Sequence, residues 1–388
     1  MKKIKKKILI LGSNLYQQKL ARELINREYD ISMLSNVKIS KKIEIKKFYK
    51  INVQNHKAIL NIFKKEKFDK IISTGSDVTL KTIGLINSKL NLKGLKIRDA
   101  TLVTNKIIMK NFMIKHKIPT PKFKIFNMLN KDEIKNFQLP VVLKNIALSG
   151  SRKIQKIYNK IQLKKIFIKI KDPQNYIYEN LISGKEFGAN IIFQNKCIIQ
   201  TFIFDDILFD NGKTNVPIGH IFPAHDLIKF KQKINIISQK IINNLNLNSG
   251  FLNLDFIVEE KTNQLYLIEF STRLGATGIP ELYKYYFDHN IFELIACIDS
   301  NKKKLLPQNK KLKKGFFISI LAIGKKNGYL KKIDIAKNYK KNCIFKSFLP
   351  INSIVRKFNT GNDALGYAIF NFKKINLTNK DFFSINIK

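Results

Sequence analysis

The stretch that decides the fold spans residues 249–278 and reads SGFLNLDFIVEEKTNQLYLIEFSTRLGATG. Two apolar runs flank a polar segment at residues 261–264, and this pattern predicts an antiparallel β-hairpin with its turn there. With that turn, Asp255 falls opposite residue 269 or 270 of the neighbouring strand. The hairpin is therefore expected to bring the carboxylates of Asp255 and Glu269 together on one face of a sheet.

Three polar residues, Glu269, Ser271 and Arg273, occupy alternate positions in the second strand. The two-residue period of a strand places them on one face, although an edge strand with a solvated side would show the same spacing. Two carboxylates beside a hydroxyl suit Mg²⁺, which usually also takes substrate phosphates as ligands. We predict Asp255, Glu269 and Ser271 as metal ligands, and Arg273 as the catalytic cation that neutralises a transferring phosphoryl group.

The composition indicates a globular protein of two or three domains, since 388 residues with 44% hydrophobic residues can bury a sizeable core. The formal net charge of +44 is compatible with nucleic-acid binding, but six of the 72 basic residues are arginines. Arginine forks are the preferred contacts to phosphates and bases. We therefore expect no dedicated nucleic-acid partner, only non-specific attraction to polyanions.

The sequence also argues against a membrane protein. No apolar run approaches the roughly 20 residues that a membrane span needs. The basic start MKKIKKKILILGSN has an apolar part that is too short for a signal peptide. The expectation is a cytoplasmic protein with no membrane partner, and a homodimer is left open.

Strand and helix patterns alternate over residues 1–103, which predicts an N-terminal α/β domain with a parallel sheet. Ligand contacts in such sheets come from the loops that follow the strands. Only Gly12 stands in the first of these loops, so the GxGxxG motif is absent and a nicotinamide enzyme is disfavoured. The pattern of the sequence changes after residue 103. We predict an α+β domain at 104–300, a basic, aperiodic linker at 301–315 and a small β-rich module at 316–388.

Upstream of the hairpin, several polar residues form a candidate nucleotide site. Lys144 lies in the short apolar strand PVVLKN, where its amine is costly unless it meets an anion, although a lysine that ends a strand is more often a surface residue. Ser149, Gly150 and Ser151 follow with backbone N–H groups and hydroxyls that can hold a phosphate. Glu179 and Glu186 bracket a turn and can accept from an adenine amine and ribose hydroxyls. In this order, they indicate a nucleoside triphosphate held with magnesium between two sheets.

The ordered motifs resemble those of the ATP-grasp superfamily, over about residues 1–300. They read NK…IPTPKF, PVVLK…SGSR, YENLISGKEF, NLDF and IEFSTR. The superfamily includes D-alanine–D-alanine ligase, L-amino-acid ligases, biotin carboxylase and carbamoyl-phosphate synthetase. The resemblance implies an α/β protein in which a parallel N-terminal α/β domain precedes an ATP-grasp domain of two α+β subdomains.

The resemblance also implies roles for individual residues. Lys106 and Lys144 would contact the ATP phosphates, Glu179 and Leu181 would lie in the adenine hinge, Glu186 would bind the ribose, Asp255 and Glu269 would hold Mg²⁺ (or Mn²⁺), and Arg273 would face an acyl phosphate. The sequence departs from the family in two places. Serine replaces the usual asparagine at position 271, and the phosphate loop SGSRKI carries Lys153 where a glycine is common.

The activity implied by the resemblance is the activation of a carboxylate by ATP as an acyl phosphate, which a small-molecule amine then converts to an amide or peptide. The β-rich tail, with GYLKKI at 328–333, is similar to the C-terminal module of L-amino-acid ligases and favours this branch. A bicarbonate-using carboxylase of the biotin carboxylase or purine-pathway type is the alternative, and a polyanion-binding protein is a third. His220 lies where the family places substrate contacts, and we predict it as one, although a lone loop histidine is more often structural.

Overall fold

The computed structural model describes residues 5–37, 39, 43–126, 138–147, 154–210, 215–298, 314–373 and 381–388. Within these residues the helices are α1 Leu15–Asn26, α2 His56–Glu66, α3 Leu80–Lys89, α4 Ile97–Thr104, α5 Lys106–Lys115, α6 Lys160–Lys169, α7 Lys231–Asn244, α8 Ile279–Phe287 and α9 Ile291–Cys297. The strands are β1 Lys7–Leu11, β2 Asp30–Leu34, β3 Lys47–Tyr49, β4 Lys70–Ile72, β5 Phe123–Ile125, β6 Val141–Asn145, β7 Gln155–Ile157, β8 Tyr176–Asn180, β9 Gly184–Gln194, β10 Cys197–Asp210, β11 Asn215–Phe222, β12 Gly250–Glu259, β13 Leu265–Ser271, β14 Phe316–Ile323, β15 Gly328–Ile335, β16 Cys343–Ser347, β17 Ile354–Val355, β18 Ala364–Phe372 and β19 Phe383–Ile387. None of these helices is long and apolar enough to cross a membrane.

The N-terminal sheet is parallel, as predicted, with the strand order β3-β2-β1-β4. Its centre is apolar, because Leu9, Ile10 and Leu11 of β1 are fully buried. The sequence analysis missed β3, a strand of three residues in a lysine-rich stretch. In a parallel sheet all carboxyl ends meet at one edge, so the loops after β3 and β4 lie at the same edge, although β2 and β1 separate the two strands.

A four-stranded antiparallel sheet with the order β5-β8-β6-β7 follows. Its central pair aligns Val142 with Glu179 and Lys144 with Ile177, so the two charged residues that the sequence singled out are diagonal neighbours on adjacent strands. Helix α5 begins at Lys106, directly after Asn105, whose side chain accepts hydrogen bonds from the N–H groups of Ile107 and Ile108. This cap fixes Lys106 at the start of the helix.

The predicted hairpin forms between β12 and β13 and lies at one end of an eight-stranded sheet. Asp255 pairs with Glu269, as predicted, and Asn253 pairs with Ser271. The register shifts between Asp255 and Phe256, which marks a bulge beside the two carboxylates. Arg273 lies two residues beyond the end of β13, at a bend in the chain.

The strands of the C-terminal region continue the same sheet, whose order is β13-β12-β9-β10-β11-β14-β18-β16. Strand β14 pairs with β11, with His220 opposite Ser319. Strands β17, β15 and β19 form a separate three-stranded sheet beside it. Most of the predicted linker, residues 301–313, lies outside the described residues, and the domain boundaries stay a prediction.

Shared apolar cores join the N-terminal domain to the large sheet. One cluster packs Leu9, Ile59 and Met113 with Phe187 and Leu254. A second cluster joins β1 and α1 to α8. In this cluster Leu20 and Leu24 of α1 lie together with Leu282 and Tyr283 of α8. Because buried apolar area stabilises such contacts by about 25 cal/mol per Å², these clusters hold the N-terminal loops against the hairpin.

Candidate active site

The two hairpin carboxylates are close enough to perturb each other. Burial, together with the charge of Glu269, raises the pKa of Asp255 well above its usual value. Burial also acts on Glu269, but the positive charges of Lys106 and Lys144 outweigh it and lower the pKa of Glu269. The Nζ atom of Lys106 lies 3.4 Å from Oε2 of Glu269. Of the two carboxyl groups, Glu269 is therefore the one that loses its proton first as the pH rises.

This donor set fits a divalent cation. No group of three His, Cys, Asp or Glu side chains with the geometry of a metal site occurs in the described part of the chain. Two carboxylates are nevertheless sufficient for Mg²⁺, which binds through one or two carboxylates and takes substrate phosphates and water as further ligands. A cation between Asp255 and Glu269 would also remove the repulsion that raises the pKa of Asp255.

Arg273 is held by Asp77, a residue of the N-terminal domain. Its Nε and Nη2 atoms donate to the two carboxylate oxygens of Asp77 at 2.8 and 2.6 Å, and its Nη1 atom donates to the carbonyl of Leu274 at 3.0 Å. A guanidinium has five N–H groups, so two remain for another ligand. Despite burial, Arg273 and Ser271 lower the pKa of Asp77.

Asp77 also fixes Ser271, whose Oγ atom donates to Oδ1 of Asp77 at 2.6 Å. The hydroxyl proton of Ser271 is therefore used in this hydrogen bond, whereas the lone pairs of the hydroxyl oxygen stay available as acceptors. No role was predicted for Asp77 from the sequence, although it follows β4 of the parallel sheet. The position itself was the available signal, because loops after such strands supply ligand contacts.

The second group of predicted residues forms a buried charge cluster. The carboxylate of Glu179 accepts from Lys110 at 3.1 Å and from Lys144 at 3.2 Å, and Glu179 is only 2% exposed. Lys110 also donates to Thr120 at 2.7 Å. Burial lowers the pKa of Lys110 to about 8, whereas the two ammonium groups outweigh burial and lower the pKa of Glu179.

Glu179 and Leu181, the residues predicted for the adenine hinge, already have hydrogen-bond partners within the protein. The carboxylate of Glu179 already has two ammonium partners, and the backbone N–H of Leu181 donates to the carbonyl of Pro140 at 3.1 Å. Contacts of these residues with adenine stay a prediction. Glu186 lies on β9 opposite Ile257 of β12, and strand alternation places it on the same face as Asp255. Ser149, Gly150 and Ser151 lie outside the described residues.

His220 lies within the sheet and belongs to a polar network. Its Nδ1 atom is 2.7 Å from Oδ1 of Asp206, which stands opposite it on β10. Its backbone N–H donates to Ser319 Oγ at 3.2 Å, and that hydroxyl donates to the carbonyl of Thr277 at 3.0 Å. The charge of Asp206 contributes to the raised pKa of Asp255, so this network lies near the carboxylates, and the substrate role of His220 stays a prediction.

A chain of three hydrogen bonds links the loop after β13 to Asp255. The N–H of Gly275 donates to Oδ1 of Asn190 at 3.0 Å, and the amide of Asn190 donates to Oδ1 of Asn253 at 2.8 Å. The amide of Asn253 then donates to Oδ1 of Asp255 at 3.1 Å. Both asparagines are buried, so these hydrogen bonds fix the orientation of the Asp255 carboxylate. Sequence reasoning assigned a role to neither asparagine.

A cavity of about 320 Å³ lies between the N-terminal domain and the hairpin. The predicted site residues that line it are Lys106, Asp255, Glu269, Ser271 and Arg273. Residues of the N-terminal domain, among them His56, Asp77 and Lys81, form another part of its wall. A wider cavity of about 650 Å³ lies in the C-terminal strands, lined by Tyr329, Ile354 and their neighbours. None of the predicted site residues that the structure describes lines this wider cavity, so the smaller cavity is the candidate active site.

A family profile described as an ATP-grasp domain matches residues 103–277. The D-alanine–D-alanine ligase of Borreliella burgdorferi is 29% identical over 214 residues, which are 49% of this chain and 58% of that protein. The chain thus spans less than two thirds of the length of this curated relative.

Two solved structures share the fold over nearly the whole chain. The L-amino acid ligase from Bacillus licheniformis has a TM-score of 0.82 at 14% identity and covers 100% of both chains. The phosphoribosylglycinamide synthetase from Anaerococcus prevotii has a TM-score of 0.77 at 22% identity, with 99% of this chain and 100% of that chain covered. Residues 103–277 therefore match the ATP-grasp domain family, and the fold class predicted from the sequence is confirmed.

Proposed function

We propose that the protein is an ATP-dependent ligase that activates a carboxylate as an acyl phosphate, joins it to an amine, and releases ADP and phosphate. The observation that carries this proposal is the single cavity that brings Asp255, Glu269, Ser271 and Arg273 together with Lys106. It combines hard oxygen donors with two fixed cations, which is the charge distribution that a transferring phosphoryl group requires.

The residues of the site act mainly by position and charge. Lys106 and Lys144 offset the negative charge of the nucleotide phosphates, and Arg273 presents its two remaining N–H groups to the developing acyl phosphate. The bond to Asp77 holds the guanidinium in place before the substrate arrives, so little reorganisation is needed during the reaction. A divalent cation held by Asp255 and Glu269, with Ser271, would supply further charge neutralisation at the phosphates.

Two displacements make up the reaction. A carboxylate oxygen of the substrate attacks the γ-phosphorus of ATP, the bond to the bridging oxygen breaks, and ADP leaves. The amine nitrogen then attacks the acyl carbon, and the bond between that carbon and the phosphate oxygen breaks to release inorganic phosphate. These steps ask for little covalent chemistry from the protein, which agrees with a site that consists of cations, carboxylates and hydroxyls.

The remaining assignments extend the same proposal. We assign Glu186 to the ribose, Glu179 and Leu181 to the adenine region, Ser149 to Ser151 to the phosphate loop and His220 to the substrate. We propose Mg²⁺ as the metal, with Mn²⁺ as the alternative, and small molecules as both substrates. The ATP-grasp unit at 104–300 would carry the chemistry, with the N-terminal domain closing one side of the cavity.

An ADP-release screen over carboxylates and amines tests the proposal. ADP release that needs both a carboxylate and an amine supports it, whereas release driven by bicarbonate alone would favour the carboxylase alternative. Glu66→Gln is a matched control for changes at Glu269, because Glu66 forms a surface ion pair with Lys47 at 2.7 Å. The absence of any substrate-dependent release, together with DNA retention that survives physiological salt, would overturn the proposal in favour of a polyanion-binding protein.

A further inference from the structure

The N-terminal wall of the cavity carries a histidine that the roles assigned above do not use. His56 is the first residue of α2 and lines the same cavity as Asp255 and Arg273. Asn55 caps that helix by accepting from the N–H of Ala58 at 3.1 Å, so the backbone of His56 is held firmly. The ring lies against α3, where its Nδ1 atom is 2.8 Å from Oγ1 of Thr82.

The hydrogen bonds of Thr82 fix the tautomer of this ring. The hydroxyl of Thr82 lies 2.6 Å from the carbonyl oxygen of Val53. A carbonyl can only accept, so the one hydroxyl proton of Thr82 must point to Val53. Thr82 therefore offers only lone pairs to His56, and Nδ1 must be the donor. In the neutral ring the proton is on Nδ1, and Nε2 keeps its lone pair.

The lone pair makes Nε2 an acceptor, and in the described residues Nε2 forms no hydrogen bond. The other acidic or basic groups of the cavity wall are not available as proton acceptors. Asp77 holds Arg273 and Ser271, Lys106 pairs with Glu269, and the two hairpin acids are the proposed metal ligands. Lys81 is an ammonium that can only donate. Among the described residues that line this cavity, His56 is thus the group that is suited to receive a proton.

We propose that His56 is a catalytic residue that binds the acceptor amine and takes a proton from it. A neutral imidazole that presents a lone pair repels a carboxylate but accepts from an ammonium or amine, so the amine substrate is assigned to this wall. The inference rests on the ligase proposed above, and it assigns the amine to the N-terminal domain while the hairpin holds the acyl phosphate.

Nε2 of His56 removes one proton from the ammonium of the acceptor, which leaves a nitrogen lone pair and an imidazolium. The lone pair attacks the acyl carbon, a C–N bond forms, and the C–O bond to phosphate breaks with its electron pair on the phosphate. The second nitrogen proton passes to the leaving phosphate, and the imidazolium returns its proton to solvent.

The test separates the two half-reactions. Wild type is incubated with ATP, Mg²⁺ and the carboxylates of the release screen, with either hydroxylamine or the acceptor amine. Hydroxylamine is a neutral nucleophile at pH 7 and needs no base, so hydroxamate reports the acyl phosphate alone. In His56→Gln and His56→Ala we expect hydroxamate formation near the wild-type rate, and amide formation lower by about 100-fold or more, as for loss of a general base. His116→Ala is the control, because that ring packs in a tilted arrangement against Phe112, with the ring centroids 4.4 Å apart, and does not line the cavity.

Chemical rescue then distinguishes a base from a structural group. Added imidazoles should restore amide formation by His56→Ala, and the restored rate should rise with the basicity of the imidazole. Rescue that does not depend on basicity, or equal loss of hydroxamate and amide in both variants, would overturn the inference while leaving the ligase proposal intact. Absence of hydroxamate from wild type with every carboxylate would overturn the ligase proposal itself, and this inference with it.

Discussion

Asparagine in place of Asp77 keeps the shape of the side chain but removes the charge that holds Arg273. Breaking one side of a buried ion pair costs about 3–5 kcal/mol. The two side chains here are 17% and 16% exposed, and asparagine keeps one acceptor oxygen, so solvent screening reduces this cost. We expect a loss of about 2 kcal/mol in the free energy of unfolding.

Turnover should fall as well, because a guanidinium without its partner samples positions outside the productive one. We expect kcat to drop about tenfold, which corresponds to roughly 1.4 kcal/mol in the barrier, while the KM for ATP changes little. Urea unfolding and ADP-release kinetics measure the two effects, and Asp334→Asn, which removes a surface partner of Lys340, is the control. In combination with Arg273→Lys the two losses should not add, because both variants remove one interaction. Full additivity, or an unchanged kcat in Asp77→Asn, would refute this account of Arg273.

The other predictions concern the carboxylates, the guanidinium and the buried lysine. Glu269→Gln should abolish turnover yet leave the circular dichroism spectrum unchanged, since amidation removes half the acceptor charge of the metal site; activity near wild type would place the site elsewhere. Arg273→Lys should lower kcat with little loss of ATP affinity in calorimetry, because a point charge cannot bridge two oxygens. The pKa of Lys110 is about 8 in the folded protein and 10.5 in a free lysine, so between these pH values the unfolded chain binds more protons and stability should rise with pH. Lys110→Met should flatten this rise in urea unfolding from pH 7 to 10, and an unchanged slope would show that another group titrates.

Local patterns were sufficient for the alternating elements of the N-terminal domain other than β3, and for the pairing of the hairpin. Alternating strand and helix periods gave the parallel sheet, and the polar turn at 261–264 set the register that pairs Asp255 with Glu269. The contact of Asp77 with Arg273 joins positions that are 196 residues apart, and no local pattern can indicate it. Only the general rule on loops after parallel strands pointed to that region.

The role of the buried Lys110 was missed for a different reason. Lys106, Met109, Lys110 and Met113 are spaced as one face of a helix and are all buried, so the helical period was visible in the sequence. A lysine on such a face is usually taken as solvated, and what reverses this expectation is the carboxylate of Glu179 on another element. Burial of a charge depends on its partner, and the partner is a property of the tertiary fold.

The pairing of β14 with β11 makes the chain a candidate for split-protein complementation. A fragment that ended before β14 would leave the β11 edge at Gly219 to Phe222 without its neighbour, and a bare apolar edge recruits other strands and aggregates. Supplied separately, the fragment from residue 314 onward could cover that edge again. Its return would restore turnover at a cavity that none of its described residues lines, so activity would report that β14 had paired with β11 again.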